Sequence, residues 1–147
     1  MDLNLIQTII GYHFENIRLL KTALTHKSYL HQKDKEPDIT EHNERLEFLG
    51  DAVLELVVTE YLYNQYDKAE GYLTALRAAV VNYKIMGEVG NTMGLDEAIY
   101  LSDSERKDLG KARLSIVADC MEAIIGAIYL DSGYQEAARF IRDKLIV

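Results

Sequence analysis

Two pairs of carboxylates stand where carboxylates are costly. Within the apolar stretch Leu114–Leu130 the only charged residues are Asp119 and Glu122, and their i, i+3 spacing puts both on one face of a helix. A second apolar stretch, 43–66, repeats the arrangement with Glu47 and Asp51 at i, i+4; Glu44 and Glu55 extend the same stripe, and no Lys or Arg interrupts it. Either stripe alone would pass as ordinary surface, because like charges at this spacing cost only a few tenths of a kcal/mol when exposed. Two of them on helices that are apolar on nearly every side resist desolvation unless a cation compensates. Packing those helices together would gather four carboxylates, an oxygen ligand set suited to hard divalent ions, above all Mg²⁺ with Mn²⁺ as a substitute. Gly50 adds to this: a glycine inside a helix costs about 1 kcal/mol relative to Ala, yet here it stands beside Asp51, where it would let another backbone come close. Gly126, with Ala118, Ala123 and Ala127, does the same for the other helix.

Competing chemistries lack their residues. A di-iron bundle needs Glu-x-x-His pairs, and none of His13, His26, His31 or His42 lies three residues after a Glu. There is no strand leading into a glycine-rich phosphate loop and no serine nucleophile elbow.

The elements that must position these acids read as helices throughout, so the expected class is all-α. Asp2 caps a short helix to Ile10 that Gly11 stops, and Ile17, Leu20 and Leu24 mark a second, 16–25. The polar run 31–41, with the only proline, Pro37, is an exposed loop. The stretch 43–66 is a central buried helix; a fourth helix is expected over 73–89 with Gly90 as its end, then a short element at 92–99. A polar loop, 102–113, holds Arg106, Lys107, Lys111 and Arg113 before the apolar helix 114–130, and an amphipathic helix, 135–145, turns Phe140, Ile141 and Leu145 inward. No internal repeat or linker breaks the chain, which is expected to form one domain over 1–147.

At 147 residues and 48% apolar composition the chain can bury a real core. The single cysteine, Cys120, excludes an internal disulfide framework and is expected to fill the core, as suits a reducing cytoplasm. The start, Met1-Asp2-Leu3-Asn4, is no export leader, and no apolar run reaches the roughly 18 residues of a membrane span, so a soluble cytoplasmic protein is expected. A net charge of −8 argues against nucleic acid as a partner, since phosphate is normally met by clustered Lys and Arg.

The stretch NERLEFLGDAVLE at 43–55 closely resembles the signature of the ribonuclease III family. ALTHKSY at 23–29, EGYLTALRAAVVN at 70–82 and RLSIVADCMEAIIGAIYLDSGY at 113–134 follow in the family's order, so the resemblance spans nearly the whole chain. It implies an all-helical, homodimeric endonuclease domain of the bacterial type that cuts both strands of double-stranded RNA. Glu47, Asp51, Asp119 and Glu122 match the catalytic, metal-binding carboxylates, with two ions per site. Glu44 and Glu70 match acidic positions near the dimer interface and cutting site, and Phe48 matches the aromatic that enters a socket on the second subunit. An outward Phe between acids would be odd in a monomer, which gives that last match a physical motive.

The resemblance further implies water activated for in-line attack on phosphorus, 5′-phosphate and 3′-hydroxyl ends, and ribosomal RNA precursors among the substrates. It also answers the charge objection, because two divalent ions offset four of the eight net negative charges where phosphate must approach. Lys27, Lys107, Lys111 and Arg113 are candidate phosphate contacts, Arg45 and Arg77 are as readily partners of nearby acids, and His26 is expected to serve as a structural hydrogen-bonding group. Family members usually continue into a double-stranded RNA-binding domain; the chain stops at Val147, and fewer phosphate contacts predict weaker, more salt-sensitive RNA binding. The alternative is a non-cleaving dimer of the same fold that holds structured RNA.

Overall fold

The computed structural model describes residues 2–146. Among them the regular structure is helical, apart from one isolated parallel bridge between Thr25 and Tyr100. Helix α1, Leu3–Ile10, starts where the Asp2 carboxylate accepts the Asn4 N–H and ends at Gly11, whose φ of 80° is the left-handed cap. Asn16 caps α2, Ile17–Ala23, and a 3-10 turn, Lys27–His31, follows inside the segment that leads into the polar loop.

Two 22-residue helices, α3 (Glu44–Gln65) and α8 (Lys111–Ser132), form the centre and pack along each other more extensively than any other pair. Neither is amphipathic in the ordinary sense: α8 is enclosed by other helices nearly all round, and α3 leaves Phe48, Leu56 and Tyr63 exposed opposite its buried side. Their crossing explains the glycines. A methyl group on Gly50 would stand 1.7 Å from the Glu122 carbonyl oxygen, and one on Gly126 would stand 2.4 Å from the Leu46 carbonyl oxygen. Backbone therefore meets backbone, and the acids carried on either side of the crossing are brought level.

The remaining helices cover this pair. The expected helix over 73–89 is in fact two, α4 (Glu70–Val80) and α5 (Tyr83–Thr92), broken where Val81 turns extended and the Asn82 side chain accepts the Ile85 N–H. The short element is α6, Leu95–Ala98. The expected polar loop contains α7, Asp103–Lys107, capped by Ser102 through the Glu105 N–H, and α8 begins three residues earlier than its apolar pattern does. Helix α9, Tyr134–Leu145, closes the core with Phe140, Ile141 and Leu145 buried, as its pattern predicts.

Candidate metal centre

The crossing of α3 and α8 sets Glu47, Asp119 and Glu122 side by side: carboxylate oxygens of all three lie within 4.8 Å of one another. These three are half-buried, while Asp51, one turn along α3, is exposed. All four line one recess of about 450 Å³, with Glu44 and Phe48 on its rim. Asp51 joins the cluster through a hydrogen bond with Glu122, and Glu47 shares another with Asp119. The two acidic pairs therefore face the same way, as the sequence requires of a metal site.

Electrostatics carry the mark of this crowding. Burial pushes the Glu122 carboxyl up to about 9, helped by its hydrogen bond to Asp51 and by the Asp51 charge. Burial pushes Glu47 up to about 7, with the Asp119 charge next in weight, and burial raises Asp119 as well. Glu47 and Asp119 are raised together by burial, and they take up and lose protons as a pair. Among the described residues no Lys or Arg forms an ion pair with Glu47, Asp119 or Glu122. Lys27 Nζ reaches only the rim, 3.3 Å from Glu44. The donor set of clustered, half-buried carboxylate oxygens fits a hard divalent ion.

Neighbouring elements lock the N-terminal end of α3 in place. Asn43 is buried; its side chain donates to the Ala23 carbonyl at 3.0 Å and its N–H to the Thr25 carbonyl at 3.0 Å. Cys120 is buried beside the same Ala23 carbonyl, which accords with core filling, and burial pushes its thiol far up. His26 takes the structural role expected of it, its Nδ1 accepting the Ser28 N–H at the head of the 3-10 turn.

The other residues singled out divide clearly. Phe48 is 84% exposed on the rim. Glu70 begins α4 and lines a separate recess with Thr59, Leu62, Tyr63 and Leu73, so one chain does not bring it to the acidic cluster. Lys107 ends α7 and Lys111 begins α8, both exposed and outside the acidic recess. Arg113 corrects an expectation. It is buried, with Nη1 2.6 Å from Asp96 Oδ1 and Nη2 donating to the carbonyls of Glu105 and Arg106, so its guanidinium ties α6 and α7 to α8 and offers nothing to a phosphate. Arg77 donates to Thr59 Oγ1 at 2.9 Å instead of meeting an acid. One structural acid escaped the sequence reading: Asp131 accepts the N–H groups of Glu15 and Asn16 and the Tyr12 hydroxyl, fastening the α1–α2 connection to the end of α8.

Comparison with known proteins places relatives around this geometry. The profile of a family described as ribonuclease-III-like matches residues 16–147. The ribonuclease 3 of Clostridium perfringens is 49% identical over 144 residues, covering 95% of this chain and 59% of that one. The ribonuclease 3 of Oleidesulfovibrio alaskensis is 44% identical over 137 residues, covering 92% and 58%. This chain thus spans less than two thirds of those relatives' length. Among solved structures, the nuclease domain of Campylobacter jejuni ribonuclease III, described for structural flexibility in a region involved in dimer formation, is similar with a TM-score of 0.85 at 41% identity, over 99% of this chain and 100% of that one.

Proposed function

Since the chain belongs to the ribonuclease-III-like family, we propose that it is a divalent-metal-dependent endoribonuclease that cuts both strands of double-stranded RNA, as a homodimer in the cytoplasm. The observation that carries this reading is the convergence of Glu47, Asp119 and Glu122 within 4.8 Å, two of them held well above the ordinary carboxylate range.

Glu47, Asp51, Asp119 and Glu122 would hold Mg²⁺ or Mn²⁺, two ions per site by family expectation; bound there, the metal supplies water activation and charge neutralisation at the scissile phosphate. The protein's own part is positioning. The close approach of α3 and α8 at Gly50 fixes Glu122 relative to Glu47, and Asp51 orients Glu122 by a hydrogen bond, so the acids need little rearrangement when the metal enters. Glu47 and Glu122, both raised by burial, would give up their protons to an incoming ion. Attack in line with the departing 3′ oxygen leaves 5′-phosphate and 3′-hydroxyl ends. Ribosomal RNA precursors are the substrates that the family suggests.

The dimer has a surface to form on. Phe48, Ala52, Leu56, Thr59 and Tyr63 recur at helical spacing on the exposed side of α3, and a two-fold axis near Leu56 would set each Phe48 against the recess of about 340 Å³ beside Tyr63 on the second copy. Glu70 lines that recess, so the same axis would bring it toward the other copy's acidic cluster.

The test is direct. End-labelled duplex RNA is incubated with the protein in Mg²⁺, in chelator, and with Glu122→Gln. Paired cuts that need Mg²⁺ and fall at least about 100-fold in the variant are expected, since a metal ligand contributes several kcal/mol to the barrier. Cutting that persists in chelator, or at full rate in the variant, contradicts the reading.

A further inference from the structure

Next to the acidic recess lies another of about 520 Å³, walled by His26, Lys27, Ser28, His31, His42 and Glu105. Two of its histidines have their tautomers fixed by the backbone. The Ser28 N–H points at His26 Nδ1 from 3.2 Å, and the Glu44 N–H points at His42 Nδ1 from 3.3 Å. A backbone N–H can only donate, so both Nδ1 atoms are acceptors, and each neutral ring carries its proton on Nε2. For His26 a relay reinforces this: the Ser102 N–H donates to Ser28 Oγ at 3.0 Å, which leaves the Ser28 hydroxyl proton free to point at the same Nδ1, 2.8 Å away. No hydrogen bond to either Nε2 is present among the described residues.

His26, His42 and Lys27 line this recess, and with Nδ1 committed to a backbone N–H each neutral ring keeps Nε2–H as its remaining donor; Glu105 supplies an acceptor on the wall. Glu44, which lines the acidic recess, joins the two, because its N–H holds His42 and its carboxylate lies 3.3 Å from Lys27.

We propose that this recess binds a phosphodiester of the RNA backbone beside the one being cut, through His26 Nε2–H, His42 Nε2–H and Lys27. Non-bridging phosphate oxygens accept from all three, and the ribose 2′-hydroxyl has Glu105 to donate to, which a DNA backbone lacks. The subsite resolves a difficulty of the molecule. Its acidic centre repels a polyanion, and Arg113, which looked available for phosphate, is buried against Asp96. Donors that are neutral imidazoles bind phosphate without drawing the neighbouring acids into ion pairs.

This inference rests on the nuclease reading, and the experiment separates the two. A fluorescent RNA duplex is titrated, in Mg²⁺, into the full chain carrying Glu122→Gln to block cutting, and then into the same protein with Lys27→Met or His42→Phe added. Each addition is expected to weaken binding about 5- to 20-fold, and Lys27→Met alone to lower the slope of log affinity against log salt by about one. The same duplex should shift the ¹⁵N resonances of the His26 and His42 rings in the unsubstituted side chains and leave exposed His13 unmoved, a readout independent of whether a variant folds well. Affinities within twofold of the parent together with unmoved rings overturn the subsite while the nuclease stands, provided that the unaltered protein cuts the duplex. A protein that neither binds nor cuts duplex RNA overturns both.

Discussion

Glu47 and Glu122 hold protons at pH values where an ordinary glutamate has lost them, about 7 and about 9 against 4.5. That difference has a sign for stability. The folded, metal-free protein binds more protons than the unfolded chain between those values, so this contribution is complete below about 4.5 and is lost as pH rises through 7 and then 9. A divalent ion substitutes for the protons. Saturating Mg²⁺ should therefore raise the melting temperature more at pH 8 than at pH 5.5, measured by differential scanning fluorimetry or calorimetry; an equal or larger shift at pH 5.5 would contradict metal binding at these acids. The four carboxylates were legible because charge inside an apolar helix is anomalous wherever it occurs. Arg113 was not, since a sequence displays a basic residue in a polar run but not the carboxylate and carbonyls that fold around it.

Helix packing decides how closely those acids converge, and Gly50 is its tightest point. Gly50→Ala places a methyl group 1.7 Å from a backbone oxygen that cannot swing away, so α3 and α8 must part. The expected cost is at least about 3 kcal/mol, the upper end of over-packing, read as a fall of roughly 10 °C in melting temperature. Duplex cutting should fall further than stability alone explains, because Glu122 moves with its own carbonyl. A variant as stable as the parent would mean that the crossing tolerates separation. Arg113→Met acts on a different joint: Asp96 loses its ion partner and two carbonyls of the α7 segment lose their donor. A loss of about 2 kcal/mol is expected, with hydrogen exchange rising first over residues 103–110; protection unchanged there would deny Arg113 its role. Long helices were readable from apolar periodicity. The breaks were not, although signals for them were present: Asn82 after two valines is a cap, and Ser102 with Glu105 three residues on has the spacing of a capping box, of which the Ser102 cap is made. Both were overridden by the continuity of the pattern around them.

At the scale of the whole molecule the decisive feature is an exposed apolar surface along α3. Phe48 is 84% exposed, Tyr63 76% and Leu56 57%, all on one side of α3, and α4 beside them buries none of its residues. The sequence could announce that Phe48 is misplaced in a monomer, but not which recess would receive it, because the recess forms only when α4 folds against the far end of α3. Since Phe48 touches so little within its own chain, Phe48→Ala should leave the unfolding of the isolated monomer nearly unchanged. Its effect should fall on association: in the proposed dimer Phe48 is an aromatic anchor seated in a recess of the second copy, worth about 2 kcal/mol or more, so the dimer dissociation constant should rise by at least about 30-fold in sedimentation equilibrium. Cutting should decline at protein concentrations where the variant is monomeric and recover where it is driven together, because each acidic recess would then regain the Glu70 of the second copy. A variant that dimerises as tightly as the parent would move the interface off this face of α3. Full cutting by a demonstrated monomer would mean that one chain's carboxylates suffice.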